Sequence, residues 1–294
     1  MKECNDNQYT KNLNHLRAAF ENAAFEYDKY SILQRTIADR LDESLEQIKI
    51  NPITILDLGS GTGYGSQILH KRFRNSHVYQ IDLSENMLKV SKKKSPAVFS
   101  KDHFVCADIH KLPFKEKYFD LIVSNLTLQW CDNLDLVLNE VKYLLKDNGV
   151  FLFSSFGPDS LKELRECWAS VDNYVHINAF VDMHDVADAL MRTGLMSPIL
   201  NMEKITLTYN ECRQLMKELK YIGAHNINNG RRKTLTGKKR LEKVFQRYES
   251  YRVNGVLPAT YEVIYGHAWQ SAAIKKEQAI TLDDFKKQVK RQIE

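Results

Sequence analysis

The sequence predicts an α/β fold: a doubly wound, mostly parallel sheet with a helical insertion over the active site. Three observations point to it. Between residues 53 and 155, short apolar runs rich in β-branched residues alternate with stretches of helical periodicity. The runs are apolar on nearly every residue, as in strands covered on both faces. Glycines and aspartates cluster where these runs end, and open α/β sheets bind ligands beyond the carboxyl ends of their strands.

Residues 11–48 predict helix. Leu16, Phe20, Ala23, Ala24 and Tyr27, then Leu33, Ile37, Leu41, Leu45 and Ile48, recur at helical steps until Asn51-Pro52. Strands are predicted at 53–58, 77–81, 104–107, 119–124 and 150–155. Between them lie helices at 64–73, from Ser84 to Lys94, and at 133–146, the last with Gly149 just past its end. Later residues predict helices at 158–170, 181–193, 210–222 and 238–252, and strands at 203–208 and 261–266 that extend the same sheet. No Pro- or Gly-rich linker divides the chain, so 1–294 reads as one domain. Its parts are an N-terminal helical segment (1–50), a core (51–156), a lid insertion with closing strands (157–270) and a basic tail (271–294).

Composition narrows the class. Of 294 residues, 43% are hydrophobic and 27% charged, which is ordinary for a globular chain and too apolar for disorder. No stretch approaches the roughly 20 apolar residues of a membrane-spanning helix, and the polar start, Met1 to Gln8, has no leader-like apolar core. Five scattered cysteines (4, 106, 131, 167, 212) form no CxxC pair, which predicts reduced thiols in a cytoplasmic protein with neither disulfide framework nor structural zinc. A net charge of +5 is too mild for a nucleic-acid binder. Local basic runs at 92–94, 231–233, 238–240 and 286–291 read either as solvated faces or as landing sites for an acidic partner.

The chemistry centres on Asp57-Leu58-Gly59-Ser60-Gly61-Thr62-Gly63, between a strand and a helix. Glycines there allow a tight turn and close approach of a ligand to the backbone. The spacing is not G-x-G-x-x-G, and the Gly-Lys-Ser/Thr of a phosphate loop is missing, which argues against both NAD and ATP. Asp82, ending the second strand, suits paired ribose hydroxyls. Asp108, ending the third, suits an adenine amine or a simple turn.

Together with Ile81-Asp82-Leu83-Ser84, Ala107-Asp108, Leu112-Pro113-Phe114 and Phe119 to Asn125, this segment resembles the S-adenosylmethionine site of class I methyltransferases. The resemblance implies a seven-stranded sheet with an antiparallel edge. It also implies cofactor contacts from Asp57, Gly59, Gly61 and Gly63, from Asp82, Leu83 and Met87, and from Asp108, Ile109 and Asn125. Longer segments extend the likeness: Leu128 to Cys131, Phe156 to Leu161, His176 to Phe180, Asp182 to Val186, Pro258 to Val263 and Tyr265 to Trp269. These resemble the BioC family, the malonyl-[acyl-carrier protein] O-methyltransferases of biotin synthesis. That likeness implies methyl transfer to the free carboxylate of a malonyl thioester, carried by the phosphopantetheine arm of an acidic acyl-carrier protein or by coenzyme A. Two other readings are a methyltransferase acting on another small carboxylic acid, and a BioC-like respiratory-complex assembly factor linked to arginine modification.

A carboxylate is ionised at neutral pH, so the expected reaction needs no general base. Positioning and exclusion of water then carry the rate. Asn125, Trp130 and Tyr27 are the candidate groups around the transferred methyl, and Gln129, Arg165 and Arg192 the candidate substrate contacts; Tyr30 and Gln34 read as helix surface. His176, His184 and His267 read as separate structural histidines and not as a metal cluster.

Overall fold

The structure is a computed structural model that describes residues 11–95, 101–224, 226, 228, 230–232, 234 and 236–271. Cys4, Lys233 and the basic tail beyond Ser271 therefore lie outside the described residues.

The core is one seven-stranded sheet: β1 (Thr54–Leu58), β2 (His77–Asp82), β3 (Asp102–Cys106), β4 (Phe119–Asn125), β5 (Leu145–Phe156), β6 (Met196–Tyr209) and β7 (Leu257–Trp269). Their spatial order is β3-β2-β1-β4-β5-β7-β6. The first five run parallel, while β7 lies antiparallel to both β5 and β6. Alternation along each central strand sorts the core onto two faces. Ile55, Leu121, Val123, Val150 and Leu152 face one way; Leu56, Ile122, Phe151 and Phe153 face the other. The first face is covered by α3 (Ile32–Ser44), α7 (Lys162–Ala169), α9 (Cys212–Tyr221) and α10 (Lys238–Tyr248). The second is covered by α6 (Leu134–Leu144) and α8 (Met183–Thr193).

The predicted N-terminal helix is broken. It forms α1 (Leu13–Ala23), α2 (Tyr27–Tyr30) and α3, with turns at 24–26 and Ser31. The reason is that α1 packs on α5 (Glu85–Lys94), whereas α3 packs on α4 (Tyr64–Arg72), and one straight helix cannot reach both. Helix α6 ends at Leu144, short of 146, because β5 begins at once with a register shift between Phe119 and Leu121. Asn148, not Gly149, takes the left-handed backbone there (φ 62°). Gly149 is needed for another reason: a Cβ on it would lie 2.8 Å from the Lys146 carbonyl. Strands β6 and β7 are both longer than predicted: the early part of β6, from Met196 to Lys204, is largely exposed and shows no strand pattern, and the two strands extend each other by pairing from Met196↔Trp269 to Tyr209↔Leu257.

At the far end of the sheet from the glycine loop, the Asp120 carboxylate accepts from the Ile53 and Thr54 amides (2.9 and 2.8 Å) and from Lys146 Nζ (2.9 Å). This ties the entries of β1, β4 and β5 together.

Candidate active site

A cleft lies over the carboxyl ends of β2, β1, β4 and β5 and the facing end of β7, enclosing about 1300 Å³ including its open mouth. Its floor is the glycine turn. The Gly59 and Ser60 amides both donate to the Ile81 carbonyl (2.8 Å each), which folds the turn back onto β2. Gly59 has φ +78°, and a Cβ there would come within 2.1 Å of Thr127 Oγ1, so the close approach of β1 and β4 requires glycine.

Asp82 ends β2 and faces the cleft. Its carboxylate accepts from the Gly61 amide (2.9 Å) and the Ser84 amide (2.8 Å). Burial pushes its pKa up to about 6, against the pull of those two amides. Asp108, Leu83, Met87 and Ile109 line the same end. Asp108 Oδ1 accepts from the His110 amide (3.0 Å) and meets its ring Nδ1 (2.6 Å). Tyr27 reaches this wall from α2; burial, then the nearby Asp82 and Asp28, drive its hydroxyl well above the usual phenol range, so it stays protonated.

Two expected cofactor contacts stand behind the wall. Asp57 does not line this cleft. Its side chain turns under α4, where it accepts from Ser66 Oγ (2.5 Å), and burial pushes it to about 6. Gly63 is also off the wall: it starts α4 with φ +83°, and its missing Cβ makes room for Ser91. The parity of the strand and turn decides both outcomes; residue type alone does not carry it.

Asn125, Gln129 and Trp130 do line the cleft. The Asn125 amide is committed on both sides, donating to the Gln34 carbonyl (3.0 Å) and accepting from Ser154 Oγ (2.7 Å). It therefore pins α3 to the sheet as well as facing the cleft. Gln129 Oε1 accepts from the Phe156 amide (3.2 Å), and among the described residues its NH₂ makes no hydrogen bond. Trp130 stands edge-on to Phe20 of α1 (5.5 Å, 89°). Gln34, expected on a surface, lines the cleft, and its buried Oε1 has no hydrogen-bond partner among the described residues. Tyr30 instead stacks on Tyr221.

Both expected substrate arginines are engaged elsewhere. Arg165 donates to the Pro158 and Ser160 carbonyls (2.7 and 2.9 Å), closing the turn before α7. Arg192 pairs with Asp135 on the solvent face of α6 and α8 (3.0 Å). Neither lines the cleft. Arg192→Ala is accordingly expected to leave the acceptor KM within about twofold, as for other exposed pairs. Arg165→Ala should lower stability by about 1–2 kcal/mol through its two lost carbonyl contacts. Steady-state kinetics and thermal melts check both.

Further lining residues were not singled out as site residues from the sequence. His176, Ile177, Asn178 and Phe180 come from the loop between α7 and α8, and Tyr261 from β7. The available signal was the 176–180 segment of the family resemblance; no periodicity marks a loop residue as lining.

A methyltransferase domain model matches residues 56–153. A malonyl-[acyl-carrier protein] O-methyltransferase of Methylovorus sp. is 43% identical over 263 residues, 88% of this chain and 89% of that protein. One from Nitrosospira multiformis is 42% identical over 272 residues, 87% of this chain and 89% of that protein. Among solved structures, the YcgJ protein of Bacillus subtilis shares the fold with a TM-score of 0.57 at 14% identity, covering 79% of this chain and 98% of that one. The likeness to the two enzymes reaches far past residues 56–153 into the lid and closing strands that build the rest of the cleft, and on that extent the chain belongs to the malonyl-[acyl-carrier protein] O-methyltransferase family.

Proposed function

We propose that this protein transfers a methyl group from S-adenosylmethionine to the free carboxylate of a malonyl thioester on acyl-carrier protein, giving the methyl ester that enters biotin synthesis. The observation that carries the reading is the family likeness across nearly nine-tenths of the chain, which includes the acceptor side of the cleft. The donor side fits the cofactor. Asp82 presents carboxylate oxygens to a pair of ribose hydroxyls, Asp108 presents its second oxygen to an exocyclic amine, and Leu83, Met87 and Ile109 supply apolar walls for a base. Among the described residues, no lysine or arginine lines the cleft, which suits a cationic sulfonium and not a polyphosphate.

When bound, S-adenosylmethionine would supply an electrophilic methyl carbon to the acceptor carboxylate oxygen, the C–S bond giving its electron pair to the departing thioether of S-adenosylhomocysteine, and no proton would need to move. The work of this chain is to hold and to exclude. Tyr27, a protonated donor, closes the donor end from α2. Leu16, Phe20 and Trp130 form an apolar roof that keeps water from the acceptor carboxylate. Gln129 offers its amide NH₂ beside Phe156. The acceptor carboxylate is already ionised at neutral pH, so the transfer needs no general base.

The basic strip at 231–232 adjoins the lid: the Val175 amide donates to the Gly230 carbonyl (3.3 Å), Arg231 meets the His15 ring (3.0 Å) and Arg232 lies over Tyr174 (5.6 Å). We assign it to docking of an acidic carrier. Charge reversal of Arg231 and Arg232 should raise the KM for malonyl-carrier protein about tenfold at low salt and leave that for malonyl-coenzyme A nearly unchanged.

Complementation tests the function. Expression in a biotin auxotroph lacking this methylation step should restore growth without biotin. Failure of a folded, expressed protein to do so would count against the assignment.

A further inference from the structure

Resting on the malonyl reading above, we propose that His176 is the residue that receives the substrate carboxylate. From the end of β2 to the end of β7 the cleft crosses four strand spacings, about 19 Å at ~4.8 Å each. Asp82 and Asp108 mark one end; Phe156, Tyr261 and the loop carrying His176 mark the other. A carboxylate brought into an apolar cleft costs several kcal/mol unless a cation or directed donors meet it. Among the described lining residues only two side chains can take up a positive charge, His110 and His176. His110 belongs to the donor end, tied to Asp108. That leaves His176 for the acceptor.

The imidazole is built into place. Its Nε2 lies 2.6 Å from Asp172 Oδ1, and its ring stacks on Trp168 (3.7 Å between centroids, 8° between planes). The two side chains of the pair are 11% and 10% exposed. His176 lines the cleft and Asp172 does not, and with Nε2 bonded to Asp172 the ring presents Nδ1–H to a ligand in its doubly protonated form. With Nε2 committed, Nδ1 is the remaining nitrogen, and among the described residues it has no hydrogen-bond partner. The loop that carries the ring is itself pinned. Asn226 bonds the Val175 carbonyl, and Asn228 donates to Asn178 (2.8 Å). A ring fixed by a carboxylate, a stack and a pinned loop is preorganised to hold one carboxylate oxygen and leave the other as nucleophile.

The test compares two ligands that differ by one charge: malonyl-carrier protein and its methyl ester. Wild-type turnover of malonyl-carrier protein comes first; without it the functional reading fails, independently of His176. Wild-type protein should bind the malonyl form at least about tenfold tighter than the ester. His176→Phe keeps the stack on Trp168 and removes the donor. It should abolish that preference and raise the malonyl KM about tenfold or more, with S-adenosylmethionine affinity unchanged and kcat reduced less than KM is raised. His176→Gln, which restores an N–H, should recover part of the preference, and Asp172→Asn should lose part of it. A merely structural histidine would change both ligands alike. An unchanged preference in His176→Phe overturns the proposal; if that variant does not fold, an unchanged preference in both His176→Gln and Asp172→Asn overturns it equally.

Discussion

Replacing Asp82 with alanine is expected to weaken S-adenosylmethionine binding by at least about 100-fold. A hydrogen bond to a charged group contributes roughly 1.5–3 kcal/mol, and in the proposed site this carboxylate meets two ribose hydroxyls. It also holds the Gly61 amide at 2.9 Å, so its loss relaxes the floor of the cleft. Asp82→Asn keeps an acceptor oxygen for that amide and separates the two effects: it should bind more tightly than the alanine variant and still far less tightly than wild type. Isothermal titration measures both.

The buried position of Asp82 adds a pH signature. Its pKa, raised from 3.8 to about 6 by burial, means that the ionised, ribose-binding form is lost as pH falls through 6. Cofactor affinity should be level above that pH and decline below it by up to about tenfold per unit. The contribution of the same group to stability has the opposite sign. A carboxyl with a folded pKa above its unfolded value stabilises the fold when protonated, fully below about 3.8, and this stabilisation is lost as pH rises through about 6. Asp82→Asn should flatten its share of both curves.

Gly63→Ala is expected to be strongly destabilising. The position holds φ +83°, and a Cβ would lie 2.0 Å from Ser91 Oγ and 2.9 Å from Ser91 Cβ. Ser91 cannot simply swing away, since it is buried and its hydroxyl donates to Gln80 Oε1 (2.5 Å). A left-handed backbone costs about 1–2 kcal/mol for a residue with a side chain, and overpacking adds about 1–3 kcal/mol. At ~2–4 °C per kcal/mol the thermal midpoint should fall by roughly 4–20 °C. Gly61→Ala is the contrast. It also has positive φ (+54°), but nothing lies within 4 Å of its Cβ, so only the backbone cost applies. Equal falls for the two variants, by calorimetry, would mean that the contact with Ser91 does not matter.

What the sequence made legible follows from burial. Strands β1, β2, β4 and the later part of β5 are covered on both faces, and their apolar runs identify them directly. Edge strand β6 alternates apolar and polar residues only from Ile205 to Tyr209; its earlier part, Met196 to Lys204, has no such pattern and is largely exposed, so only the later part stands out. Asp82 and Asp108 line the cleft, as their positions at strand ends lead one to expect. Asp57, in the same loop motif, was misplaced because its side chain points under α4, a fact of strand parity relative to the neighbouring helix. Arg165 and Arg192 were misjudged for a different reason. The partner of an arginine is set by tertiary contacts, here two carbonyls and Asp135, and no local pattern reports them. His176 presented the converse case: a loop histidine becomes part of a cleft only through tertiary contacts, here with Trp168 and Asp172, and through Asn226 and Gly230 bonded to the neighbouring Val175.

Intact-mass analysis of malonyl-carrier protein after incubation with this protein and S-adenosylmethionine tests methyl transfer to the malonyl carboxylate most directly. One methyl group should appear on the malonyl arm, matched by an equal amount of S-adenosylhomocysteine. A malonyl arm left unmodified while free malonate or a protein side chain gains the methyl would contradict it.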